Sequence, residues 1–117
     1  MRGSDDTGRS GGDGGAGSGL AAELGAEMGE RATLVQFSSA FCAPCRATRR
    51  VLGEVAAMVP GVAHVEIDAE ARLDLVRRLG VERTPTVLVL DAEGRVVRRA
   101  AGQPRKADVI AALGAAL

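Results

Sequence analysis

The chain has two cysteines, and they stand three residues apart in Phe41-Cys42-Ala43-Pro44-Cys45-Arg46, at the junction of two differently patterned segments. Before them, Thr33-Leu34-Val35-Gln36-Phe37-Ser38 is rich in strand formers; after them, Ala47 to Met58 repeats apolar residues at helical spacing. A strand, a turn and a helix therefore meet at the cysteines. At the first turn of that helix, the Cys42 sulfur faces backbone N–H groups that lack intrahelical partners and the positive end of the helix dipole, which stabilises its thiolate at neutral pH. Cys45, one turn on, lies within reach of it. The pair is thus suited to thiol–disulfide exchange: Cys42 attacks a substrate disulfide, and Cys45 then attacks the Cys42 sulfur to release reduced substrate. Pro44 fits the first turn, where its missing N–H costs little. Arg46, Arg49 and Arg50 read as a solvated helix face with a minor influence on the thiolate.

Composition narrows the alternatives. Residues 1–19 are Gly, Ser, Asp and Arg with almost nothing apolar, so they read as a disordered tail or linker, and residues 20–117 read as one domain. Of the 46% hydrophobic residues only two are Phe and none is Trp or Tyr, so small aliphatic side chains must fill the interior. Fifteen basic residues balance fifteen acidic ones without a basic block, which argues against a nucleic-acid partner. No apolar run is long enough to span a membrane, and the start lacks a signal-peptide apolar region, so the expected location is the cytoplasm and the expected state a monomer. In a reducing compartment an isolated CxxC points to catalysis or metal binding rather than to a structural staple. Two Cys and one His fall short of the four ligands of a structural zinc, so no metal and no cofactor are expected.

The periodicities predict an alternating order of elements. Leu20, Leu24 and Met28 recur every four residues, as in a short helix weakened by Gly25. A strand over 33–38 leads into a helix from Cys42 to Met58, closed by Pro60-Gly61. Val62 to Ile67 forms the next strand, and Asp68 is a candidate N-cap for a helix carrying Leu73, Leu75, Val76 and Leu79 and ending at Gly80. Strands 86–90 and 95–98 flank the turn Asp91-Ala92-Glu93-Gly94, and Pro104 opens a last helix with Val109, Ile110 and Leu113. A βαβ unit followed by a hairpin gives a mixed central sheet with helices on both faces.

With these elements placed, residues 33–117 resemble the thioredoxin family. The likeness rests on Val35-Gln36-Phe37 leading to Cys42-Ala43-Pro44-Cys45, on Leu79-Gly80-Val81 followed by Thr84-Pro85-Thr86, and on Gly102 after the second hairpin strand. It implies the α/β three-layer thioredoxin-like sandwich, a cis Thr84–Pro85 bond against the cysteine pair, and a Thr84 backbone open to an extended substrate segment. Phe41, Pro44, Thr84 and Pro85 are then the expected substrate-binding residues, and Cys42 and Cys45 the redox-active pair. The implied partners are protein disulfides and a thioredoxin reductase as electron donor.

The sequence also departs from the family pattern. Phe41 stands where a Trp is usual, and Ala43-Pro44 replaces Gly-Pro between the cysteines. Gln36 stands where thioredoxins carry a buried Asp that helps deprotonate the second cysteine, and His64 stands where they carry a nearby Lys. An amide is no base, so either water or His64 takes the Cys45 proton, which makes His64 and Gln36 the residues to inspect for proton transfer. Two functional classes follow. One is a protein-disulfide reductase; the other is a thioredoxin-like binding or redox-switch module that docks extended segments without efficient turnover.

Overall fold

The computed structural model describes residues 20–117. The tail expected over residues 1–19 lies outside the described residues. A first helix, α1, is helical over residues 20–24 and tightens into a 3-10 turn at Gly25–Glu27. It is followed by β1 (Ala32–Ser38), α2 (Ala43–Met58), β2 (Val62–Asp68), α3 (Leu73–Leu79), β3 (Thr86–Leu90), β4 (Val96–Ala101) and α4 (Lys106–Gly114).

The sheet order is β2-β1-β3-β4. β1 and β2 run parallel, as strands joined through α2 must, while β1–β3 and β3–β4 are antiparallel. β1 is central and buried along its whole length, which accounts for its continuous run of strand formers.

Strand alternation divides the interior into two layers. Val35, Phe37, Val65, Ile67, Leu88 and Leu90 face one way, where Leu20 and Leu24 of α1 and Leu75 and Leu79 of α3 meet them. Leu34, Val87 and Val89 face the other way, against Leu52 and Val55 of α2 and Val109 and Leu113 of α4. Gln36 has the parity of Leu34 and so lies under α2, the helix that begins at the cysteines. The result is the expected three-layer sandwich.

Three local expectations are corrected. Asp68 does not cap α3: it ends β2, and its carboxylate accepts the N–H of Glu70 in a turn, so the helix starts four residues later behind Arg72. Pro104 does not open α4, whose N-cap is Arg105. The last strand runs over Val96–Ala101 rather than 95–98, with an irregularity at Val89/Leu90 where Asp91 accepts the backbone N–H of Arg95. Gly80, in contrast, ends α3 as expected, with φ 66 in the left-handed region that glycine adopts without a steric penalty. Among the described residues no helix is long and apolar enough to cross a membrane.

Candidate active site

β1 and the loop after it carry the chain to the N-terminus of α2, where Cys42 is the N-cap residue. Its backbone is extended (φ −109, ψ 99), which aims its sulfur back over the first turn. The Cys45 N–H donates to Cys42 Sγ at 3.2 Å, and the N–H groups of Cys45 and Arg46 share the Cys42 carbonyl. Pro44 lies inside the first turn, and its carbonyl accepts the Thr48 hydroxyl at 2.8 Å. Cys42 and Cys45 are joined as a disulfide, Cα to Cα 5.2 Å. The two sulfurs differ in access, because Cys42 is half-buried while Cys45 is only 1% exposed. Phe41, immediately before the pair, holds φ 58 and projects its ring wholly into solvent.

The second loop of the site comes from the end of α3. The Thr84–Pro85 bond is cis. Four contacts fix this loop: the Thr86 hydroxyl donates to the Arg83 carbonyl at 2.6 Å, the Gly102 N–H donates to the Pro85 carbonyl at 2.8 Å, and the Arg99 guanidinium donates to the carbonyls of Leu79 and Gly80, both at 2.6 Å. Gly102 holds φ 91, which accounts for a glycine at this point of the strand end. The hydroxyls of Ser39 and Thr84 lie 2.7 Å apart and tie the cis-proline loop to the loop before the cysteines.

Beneath the disulfide lies a polar layer between β1, β2 and α2. Gln36 is fully buried, and its Nε2 donates to the Cys45 carbonyl at 2.8 Å and to Ser38 Oγ at 3.0 Å. His64 Nε2 lies 3.2 Å from Gln36 Oε1. Burial holds the His64 imidazole below its ordinary pKa; neighbouring Glu66 opposes the shift and Arg49 reinforces it. Arg49 is not simply a solvated charge: it grips Glu66 with two parallel bonds of 2.7 Å, which hold that carboxyl below its ordinary range against the cost of burial. Ser38, Ser39, Arg49, Glu66 and Asp68 border an open groove beside the cysteine loop.

The site residues expected from the sequence thus divide into two groups. Cys42, Cys45, Pro44 and Phe41 lie on one loop and helix start, with Thr84 tied to that loop through Ser39 and Pro85 next to Thr84. Gln36 and His64 form a pair, and Gln36 reaches the carbonyl of Cys45 rather than acting on its thiol. Ser39, Glu66 and Arg99 were not singled out from the sequence. The signal for Glu66 was available in strand alternation, since residues 64 and 66 of β2 share a face; the Ser39–Thr84 and Arg99 contacts join segments far apart in sequence and left no local trace. Among the described residues no group of His, Cys, Asp and Glu is arranged to hold a metal.

Comparison with known proteins matches residues 22–115 to the thioredoxin family model. A thioredoxin of Chlamydia muridarum is 32% identical over 77 residues, covering 66% of this chain and 74% of that protein. An H-type thioredoxin of Fagopyrum esculentum is 30% identical over 69 residues, 59% of each chain. In structure, the chain is similar to reduced Schistosoma mansoni thioredoxin pre-protein with a TM-score of 0.69 at 18% identity, covering 85% of this chain and 90% of that one. It is also similar to a thioredoxin from Nicotiana alata, with a TM-score of 0.62 at 28% identity over 70% of each chain.

Proposed function

The chain belongs to the thioredoxin family and is a thiol–disulfide oxidoreductase, and we propose that it acts as a reductase of protein disulfides in which Cys42 attacks and Cys45 resolves. In the dithiol state the Cys42 thiolate forms a bond to one sulfur of the substrate disulfide, and the other substrate sulfur leaves as a thiolate. The Cys45 thiolate then forms the Cys42–Cys45 bond, and the mixed disulfide breaks to release the second substrate thiolate. The substrate gains two electrons, the enzyme pair loses two, and the protons of the enzyme thiols end on the substrate. A thioredoxin reductase restores the dithiol.

The observation that carries the order of attack is the seat of Cys42 at the N-cap, where it accepts the Cys45 N–H, together with its greater access. A sulfur in that position is stabilised as an anion by the backbone dipoles it faces. Phe41, Pro44, Thr84 and Pro85 form the docking surface for an extended substrate segment. We assign the protein to the cytoplasm as a monomer.

Reduction of insulin disulfides coupled to a thioredoxin reductase tests the activity, with turnover expected in the parent and none in Cys42→Ser. Cys45→Ser is expected to accumulate mixed disulfides with substrate. At neutral pH an alkylating reagent added to the reduced protein should label Cys42 before Cys45. Faster labelling of Cys45 would reverse the assignment.

A further inference from the structure

Gln36 makes three hydrogen bonds whose polarities are mutually dependent. The Cys45 carbonyl can only accept, so the amide nitrogen must face it, and that same nitrogen spends its second hydrogen on Ser38 Oγ. Oε1 is thereby turned toward His64, and because this oxygen can only accept, His64 Nε2 carries a proton. Glu66, on the same face of β2 as His64, is occupied by Arg49 of α2, and the β3 residue opposite Gln36 is the apolar Val87. The layer beneath the disulfide therefore presents one neutral N–H to the Cys45 carbonyl, with the second held by Ser38.

We propose that Gln36 is a positioning residue for the resolving cysteine: its amide holds the Cys45 carbonyl and so keeps the Cys45 sulfur aimed at Cys42 once the disulfide is open. The role rests on the reading of Cys45 as the resolving thiol. It is specific to an amide, because a carboxylate at position 36 would set one acceptor against another at the Cys45 carbonyl. The same hydrogen bonds leave no proton acceptor at the Gln36–His64 contact. An amide has no basic site, and the His64 nitrogen that faces it carries a proton.

The reaction of the reduced protein with dithiobis(nitrobenzoate) separates the two thiol steps, since attack by Cys42 releases one coloured thiolate and resolution by Cys45 releases a second. In Gln36→Glu, the first release is expected within about twofold of the parent, and the second slowed about fivefold to tenfold at about pH 8, the loss of one well-placed hydrogen bond. As pH falls and the new carboxyl regains an O–H, the second release should recover relative to the parent at the same pH. Gln36→Leu should show the slowing without the recovery; if it fails to fold, Gln36→Glu decides alone. A second release in Gln36→Glu equal to or faster than the parent's would overturn the proposal, as would equal slowing of both steps. A first release that persists in Cys42→Ser and vanishes in Cys45→Ser would instead overturn the order of the cysteines, whatever Gln36 does.

Discussion

Phe41 is 102% exposed and sits at φ 58, so the fold spends backbone strain on a ring that it does not bury. For a residue with a Cβ, the left-handed region costs about 1–2 kcal/mol. The ring is therefore better explained by what it meets outside the chain than by what it packs against. Phe41→Gly is expected to leave stability unchanged or raise it by up to about 1 kcal/mol, because relief of strain is partly offset by the added freedom of the unfolded chain. The same variant should lower kcat/KM for protein disulfides; thermal denaturation and the insulin assay report the two effects. A fall in stability would show that the ring packs after all. His64 gives a pH-dependent forecast. Burial lowers its pKa from an ordinary 6.5, so between that value and the lowered one the unfolded chain binds more protons than the folded protein. The His64 contribution is fully present above about pH 6.5 and is lost as pH falls through the lowered pKa. Glu66, lowered from 4.5, acts in the same direction only at more acid pH. Denaturation midpoints followed from about pH 7 to pH 5 should decline more in the parent than in His64→Gln, and superimposable slopes would exclude the effect. The sequence showed that position 36 holds an amide and position 64 an imidazole, but not which atoms meet. That depends on the Cys45 carbonyl, a backbone group whose position only the assembled helix and sheet determine.

Segment lengths and element types were legible because they follow from periodicity, whereas their ends depend on side-chain contacts. Asp68 has the chemistry of an N-cap, and it does bond a nearby N–H, but that of Glu70 in a turn rather than one in α3. Pro104 likewise stands close to α4 without belonging to it. The end of α3 shows the opposite situation: Gly80 was legible as its stop, while the outside support was not. Arg99 reaches from β4 to the carbonyls of Leu79 and Gly80, the last groups before the loop that carries Thr84 and Pro85. Such terminal carbonyls have no partner within their own helix. Arg99→Ala is expected to cost about 1 kcal/mol, since the pair of bonds is charge-assisted but the side chain is exposed, and to raise KM for protein disulfides more than it lowers kcat. Arg99→Lys should recover only part of the loss, because an ammonium does not reproduce the planar fork. If Arg99→Ala leaves both stability and KM unchanged, the contact does not hold the loop.

The two apolar layers on either side of the sheet do not depend equally on local sequence. The layer under α2 and α4 is supplied by helices whose apolar spacing is plain, whereas the opposite layer takes Leu20 and Leu24 from a segment interrupted by Gly25. That segment looked marginal as a helix, and its α-helical run does stop at residue 24 with Gly25 at φ 50. Leu20 is nevertheless fully buried and Leu24 nearly so. A sharp boundary in stability is therefore expected just before residue 20. Residues 1–19 offer almost no apolar area, so we propose that they lie outside the domain, and their removal should leave the thermal midpoint within about 2 °C of the parent. Leu20→Ala, by contrast, removes a side chain from the closed layer and should cost about 2–5 kcal/mol. Calorimetry on the truncated chain and on Leu20→Ala compares them directly. A large loss on removing residues 1–19 would place part of that segment in the core, and a negligible cost for Leu20→Ala would mean that α1 is not needed to close the layer against Leu88 and Leu90.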